Sequence, residues 1–316
     1  MTHLSERPAL TICIATRNRP DVLMQCLQSL SLLSDFPFEV IVVDDASDEP
    51  ISNVELAKKL APELLQRIEL VRYEENKGYI PARNEMVQRA RTQYILSLDD
   101  DAKLFHADTI HKALEILEND PKVGAVALSQ ADKDGRLLAD YMQPAPVSYN
   151  CYAQSFSGYG HILRRDLFLK LGGYKESFWF YGEEAEYCKR MLDLGFYVIY
   201  LPEAKVIHSH SPIGRNELTR LRYGCRNKCF DAIYNEPLPM MLLSIPLRII
   251  NYIRWRKIPC EYYNISDEGG IKWLLKELTT KFPELWRERR PLKWTTYRKW
   301  LTIRKEWSVY QLDSLY

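Results

Sequence analysis

The chain has no Cys-x-x-Cys pair, and its cysteines are seven, an odd number: Cys13, Cys26, Cys151, Cys188, Cys225, Cys229 and Cys260. That argues against a disulfide framework. Several sit in apolar surroundings, where cysteine acts as a small hydrophobe. Reduced thiols and a cytoplasmic location are the expectation. No uninterrupted apolar run approaches the roughly 20 residues of a membrane span. The opening MTHLSERPALTICIATR has no long apolar core after a basic start, so it does not read as a signal peptide. There is no internal repeat, no low-complexity tract and no recognised nucleic-acid module, and nucleic acid is not expected as a partner. What remains is a 316-residue chain with 46% hydrophobic content, enough for a sizeable core in one large domain or two smaller ones.

Charge is present but unevenly placed. Residues 1–210 hold 23 Lys+Arg against 31 Asp+Glu; residues 211–316 hold 20 against 11. Six of the seven tryptophans also lie late, from Trp255 to Trp307. An acidic body followed by a basic, Trp-rich tail predicts two segments with different partners, divided near Ser211-Pro212.

The body alternates strand and helix patterns. Ala9 to Ala15 is an apolar, β-rich run, and Pro20 can open the helix that follows. Phe38 to Val43, Ile68 to Tyr73 and Tyr94 onward read as further strands. Helices are expected around Val54 to Gln66, Ala82 to Ala90 and Thr109 to Leu117. Such alternation predicts a parallel, doubly wound sheet. Val123 to Leu128 is a fifth strand. Residues 130–156 loosen into a mixed region, and Phe156 to Arg165 reads as a strand. LGGY at 171–174 stops a helix. Glu183 to Leu194 is helical, and two short strands follow at Tyr197–Leu201 and Lys205–His208.

The stretch YILSLDDDA, residues 94–102, organises the chain. Its apolar start suits a strand buried on both faces. Three adjacent carboxylates repel one another and need compensation. In extended chain Asp99 and Asp101 share a side, and Asp100 points away. Two carboxylates beside each other at a strand end suit Mg²⁺ or Mn²⁺. Thr16 to Arg19, Asp44-Asp45 and Asp99 to Asp101 all lie at strand C-terminal ends, which converge on one crevice in such a sheet. Arg17, Arg19 and Arg83 are placed to meet phosphates. Asp44 or Asp45 can accept from a base N–H or a ribose hydroxyl.

Six motifs occur in order: LTICIATRNRP, VIVVDDASD, NKGYIPARN, LSLDDDA, GYGHILRRDLF with LGGY, and FYGEEAEYCKR. Together they resemble family 2 glycosyltransferases over roughly residues 9–211. The resemblance implies an α/β GT-A fold, a Rossmann-like mixed sheet flanked by helices, here followed by a mainly helical segment over residues 212–316. It implies Mn²⁺ or Mg²⁺ on Asp101, with Asp99 or Asp100 at the ribose or assisting the metal. Asp45, and less directly Asp44, would sit at the nucleobase. Thr16 and Asn18 would lie along the nucleotide, and Arg83 near the diphosphate.

In that family the sixth motif usually reads Gly-Glu-Asp, and its Asp commonly acts as catalytic base. Here the position is Glu184, one methylene longer. Helical spacing puts Glu184, Cys188, Met191 and Gly195 on one stripe, with Glu183 and Glu186 towards the other face and Glu186 able to pair with Arg190. Glu184 is therefore expected at the cleft, with Glu183 as the alternative. His208 or His210 in KVIHSHS can complete the metal site or meet the diphosphate in related enzymes; His208 is favoured. In the tail, Leu238 to Ile250 followed by NYIRWRK suits either a membrane interface or a core helix packed on the body.

The expectation is transfer of a sugar from a nucleotide-diphosphate sugar to a glycan or lipid-linked acceptor in cell-surface polysaccharide or glycolipid assembly. It would be metal-dependent and inverting, with the enzyme in the cytoplasm or peripheral on the inner face of the membrane. One rival is a nucleotidyltransferase making nucleotide sugars, but TRNRP lacks the glycine of a phosphate loop. The other is a non-catalytic nucleotide or glycan-binding protein of the same fold.

Overall fold

The computed structural model describes residues 8–209 and 216–311. The boundary expected at 211/212, and His210, lie outside them. Among the described residues the nine strands are β1 (Leu10–Thr16), β2 (Phe38–Asp44), β3 (Ile68–Arg72), β4 (Tyr94–Asp99), β5 (Ala102–Leu104), β6 (Val123–Ala131), β7 (Cys151–Ala153), β8 (Gly160–Arg164) and β9 (Tyr197–His208). They form one sheet in the order β3-β2-β1-β4-β8-β6-β9-β5, with β7 also on β9. The first four are parallel. β8 runs antiparallel to both β4 and β6, while β6 and β9 are parallel. The sheet is thus the mixed, helix-flanked α/β sheet expected of a GT-A fold.

β1, β2 and β4 are almost wholly buried, which is why they are continuous apolar runs rather than alternating ones. One face packs Leu23 and Leu27 of the Pro20–Ser29 helix and Ile110 and Leu117 of the Asp108–Asn119 helix. The other packs Ile80 and Met86 of the Tyr79–Arg89 helix and Tyr187 and Met191 of the Glu183–Asp193 helix. β1 leads outward to β2, whereas β4 lies on its opposite side. The crevice at this reversal opens beyond the C-terminal ends of β1 and β4.

Three elements differ from the sequence reading. The helix expected over Val54 to Gln66 is two, Asn53–Lys59 and Pro62–Leu65. Pro62 holds Ala61 extended and breaks the run. The strand expected from Phe156 is confined to Gly160–Arg164. The two strands expected at 197–208 are one, carried past Pro202 by a register shift opposite Leu128 and Ser129, the kind of irregularity that admits proline in a strand.

The tail helices, Glu217–Asn235, Leu238–Trp255, Lys257–Tyr263, Gly270–Arg287 and Trp294–Glu306, do not stand apart. Phe230 and Tyr234 meet the Phe178 ring. Leu285 and Trp300 join the same core as Tyr187. Val309 bridges to Cys151 at the sheet edge. Among the described residues no helix is long and apolar enough to cross a membrane.

Candidate active site

β4 ends at Asp99, and the chain turns through Asp100 and Asp101 into β5. The register of β5 on β9 sets Ala102 opposite His208. As a result Asp99, Asp101 and His208 each offer an atom within 4.8 Å of the others. His208 Nε2 is 2.9 Å from Asp101 and 3.9 Å from Asp99. Two carboxylates and an imidazole are hard and borderline donors, a set that fits Mn²⁺ or Mg²⁺. Asp100 turns away, accepting from Thr16 Oγ1 at 2.6 Å and pairing with Arg19 at 2.8 Å. Burial pushes its pKa up to about 7; Arg19 and Thr16 oppose the shift, and the flanking aspartates add to it.

The loop after β1 lies beside this turn. Thr16 is occupied with Asp100. Asn18, at φ +55°, exchanges hydrogen bonds with Asp48 and donates from its own N–H to Ser47 Oγ. Arg17 is exposed and, among the described residues, reaches only the Ala46 carbonyl, at 3.4 Å, while Arg19 is held by Asp100 and Asp101. Of the three arginines expected to meet phosphates, Arg19 and Arg83 are engaged by carboxylates, a proximity invisible in the sequence, and Arg17 is not.

The paired aspartates of β2 separate in role. Asp44 is fully buried and accepts from the N–H groups of Ser47 and Ile51 and from Arg72 at 2.6 Å. Burial alone would raise its pKa, but these donors outweigh it and hold the carboxyl below the usual range. Asp44 therefore builds its own turn, buried and with both oxygens already accepting. Asp45 accepts from the N–H groups of Lys77 and Gly78 at 2.8 and 2.9 Å, tying the end of β2 to the NKG loop.

Arg83 is the hub of the site. It lies 2.6 Å from Asp99, 3.3 Å from Glu183 and 3.6 Å from Glu184, donates to the Gly158 carbonyl at 3.0 Å, and stands over the Tyr79 ring. Its burial works against the charge, but three carboxylates hold it protonated. Glu183 is fully buried and accepts from Tyr79 Oη at 3.1 Å. The Glu184 side chain keeps 16% exposure. Burial raises both carboxyls; Arg83 opposes this at each. A Cβ on Gly158, in the turn before β8, would stand 2.7 Å from Glu184 Oε1, so a larger residue there would push the Glu184 side chain aside.

The expected division of the Glu183–Asp193 helix into an inward and an outward stripe does not hold. Glu183 and Glu184 both turn to Arg83 from the helix's first turn. Glu186 is fully buried rather than outward, though it pairs with Arg190 at 2.6 Å as expected. Tail helices cover the side that spacing alone assigns to solvent. Partial exposure, not the stripe, distinguishes Glu184.

Two contributors were not singled out from the sequence. Tyr79, inside the NKGYIPARN motif, supports both Arg83 and Glu183. Asn227 in the tail donates through one amide nitrogen to the carbonyls of Phe178, Phe180 and Tyr181, at 3.1, 2.7 and 2.6 Å. These bonds hold a loop in which Trp179 and Tyr181 have positive φ and are about half exposed. No local pattern marks an asparagine for that task.

Comparison with known proteins agrees with this geometry. The family model for glycosyl transferase family 2 matches residues 11–185. The chain is 29% identical over 220 residues to the uncharacterized glycosyltransferase YwdF of Bacillus subtilis (strain 168), covering 66% of this chain and 76% of that one. It is 22% identical over 227 residues to the O-antigen biosynthesis protein RfbC of Myxococcus xanthus, covering 65% of this chain and 17% of RfbC. Among solved structures, the mannosyltransferase PcManGT of Pyrobaculum calidifontis, in complex with GDP-Man and Mn²⁺, superposes with a TM-score of 0.58 at 18% identity, over 95% of this chain and 87% of that one. That likeness shows the fold. The match of the family model over more than half the chain shows the rest: the protein belongs to glycosyl transferase family 2 and is a glycosyltransferase of GT-A fold.

Proposed function

We propose that the enzyme transfers a sugar from a nucleotide-diphosphate sugar to an acceptor hydroxyl by a single, inverting displacement. The observation that carries this reading is the continuous set Asp101–His208–Asp99–Arg83–Glu184 at the strand ends. Asp99, Asp101 and His208 would hold Mn²⁺ or Mg²⁺. When bound, the cation neutralises charge developing on the leaving diphosphate. Glu184 is the base that takes the acceptor's proton, and its raised pKa suits that task near neutral pH. Arg83 keeps Asp99 and Glu184 oriented rather than binding diphosphate itself. Thr16, Asn18 and Asp45 border the nucleotide side. The GDP-Man and Mn²⁺ bound by the mannosyltransferase support the donor and metal classes. That RfbC is an O-antigen biosynthesis protein, matched over 17% of its length, supports a glycan acceptor; the lipid-linked form and the inner membrane face belong to this reading alone.

A thermal-shift panel of UDP-, GDP- and dTDP-sugars with and without Mn²⁺, paired with donor hydrolysis, tests the reading. One donor should raise Tm and be hydrolysed, both only with metal. Failure of every donor to shift Tm in either condition would sink it. Binding without hydrolysis or transfer would favour the non-catalytic alternative, and formation of a nucleotide sugar from a sugar phosphate would favour the nucleotidyltransferase.

A further inference from the structure

The Leu238–Trp255 helix leaves one side uncovered. Leu238, Leu242, Leu243, Leu247, Ile250 and Ile253 are each between 42% and 61% exposed. At 3.6 residues per turn they share one half of the helix surface along its whole length. The opposite side is satisfied: Tyr252 packs with Cys225, Cys229 and Leu274, and Met241 is buried in the main core.

Charge along this ridge is basic, and the first acid after it is the exposed Glu261. No Asp or Glu occurs from Pro237 to Cys260. Arg248 and Arg256 are neutralised within the fold, by Glu236 and Asp267. Arg254 and Lys257, at the ridge's C-terminal end, are exposed and have no ion pair among the described residues. Trp255 is 60% exposed beside them. The N-terminal end of the ridge runs into an open groove of about 460 Å³, lined by prolines, Leu238, Leu292 and the half-exposed Trp286 and Trp294, with Arg289 the charged member. An apolar ridge ended by tryptophan and unpaired cations, on a helix too short and too polar to span, is what an interfacial helix needs.

We propose that this ridge seats the enzyme on an anionic lipid bilayer, with the helix lying in the plane of the interface. Charge selects this occupant over a second copy of the chain: the Leu238–Trp255 helix carries no carboxylate, and at its end the single exposed Glu261 stands against Arg254 and Lys257, whereas acidic headgroups would meet both cations. The proposal rests on the glycosyltransferase reading only for what the bilayer would present, a lipid-linked acceptor.

Co-sedimentation of the full chain with vesicles tests it. Vesicles of phosphatidylglycerol and phosphatidylcholine should retain the protein in low salt and release it as salt rises; pure phosphatidylcholine should retain far less. The combined Leu242→Ser, Leu247→Ser and Ile250→Ser variant should lose roughly tenfold or more of its affinity at every salt concentration. Arg254→Gln with Lys257→Gln should lose roughly tenfold in low salt and flatten the salt dependence. Arg256 is left intact because it holds Asp267. Donor hydrolysis in solution should be unchanged in both variants, which certifies folding. Absence of wild-type binding to anionic vesicles in low salt would overturn the proposal. So would a serine variant that binds like wild type, or one that converts a lipid-free dimer to monomer, which would assign the ridge to a second copy. Vesicle binding by an enzyme that hydrolyses no donor would leave the lipid contact standing and remove the donor reading instead.

Discussion

Asp267, in the helical tail, is one buried carboxylate facing Arg222 at 2.7 Å, Arg256 at 3.1 Å and Tyr252 Oη at 2.5 Å. At the end of β4 the proportions reverse. Asp99, Asp100, Asp101, Glu183 and Glu184 share Arg19, Arg83 and His208. Burial raises the pKa of Asp267, but its donors outweigh burial and the net shift is down. Burial also raises Asp100, Glu183 and Glu184, and there the neighbouring cations do not recover it. Both centres are buried, so burial does not separate them. A structural carboxylate is supplied with more donors than it needs; the active-site carboxylates are left short of positive charge, in a geometry a divalent cation would complete.

The sharpest way to break this contrast is Asp101→Asn. If Asp101 awaits a cation, the variant should lose roughly 10³-fold in turnover, the scale of several kcal/mol of charge stabilisation. Donor affinity should also become nearly independent of Mn²⁺. Full activity with an unchanged Mn²⁺ response would mean that the charge deficit serves no metal.

At the other centre, Asp267→Asn should leave kcat of the folded enzyme unchanged. It should cost about 3 kcal/mol of stability, since Arg222 and Arg256 would lose a buried counter-charge. The sign with pH follows from its lowered folded pKa. Its contribution is complete above the unfolded value near 3.8 and is lost as pH falls through the folded value. Denaturation of wild type and variant across acid pH should therefore converge at the lowest pH. Parallel curves would show that Asp267 contributes by packing alone.

Smaller in energy is Glu184→Gln, which should keep donor binding and lower kcat by roughly 10²-fold. Smallest is Glu183→Gln. Glu183 is fully buried behind Arg83 and Tyr79, where an amide oxygen can still accept from Arg83, so the loss should be under roughly tenfold. A reversed ranking in single-turnover assays would move the base to Glu183 and unsettle the role given to partial exposure.

The sequence made one half of this site readable. β1, β2 and β4 are doubly buried, so their apolar runs and the acids at their ends could be located directly; Asp100 does point away from Asp99 and Asp101, but through a turn rather than through the extended chain that alternation assumes. His208 was ambiguous because two histidines at i, i+2 share a face only if the strand extends that far. The β5–β9 register brings His208 to Asp101, while His210 lies outside the described residues. The Glu183–Asp193 helix was misread because its outer side is covered by tail residues some 40 or more positions later, as with Asp231, which meets Lys189, and Asn235, which reaches Glu186. For Arg83 the sequence offered a place near the diphosphate but not the three carboxylates that distant segments bring to it. Local pattern reports burial; it does not report which distant charge arrives.

Asn227 carries a consequence for how such enzymes can be cut and recombined. Its single amide gathers three carbonyls of the loop that carries Trp179 and Tyr181, from a helix that starts after the last family motif. The junction between body and tail is therefore not a modular seam. A shortened chain ending near residue 211 would lose the splint for its own active-site rim. A chimera that took its tail from a relative would import that relative's rim geometry along with it. Inheritance of the two parts is coupled at this one side chain, even though all six sequence motifs lie upstream of it.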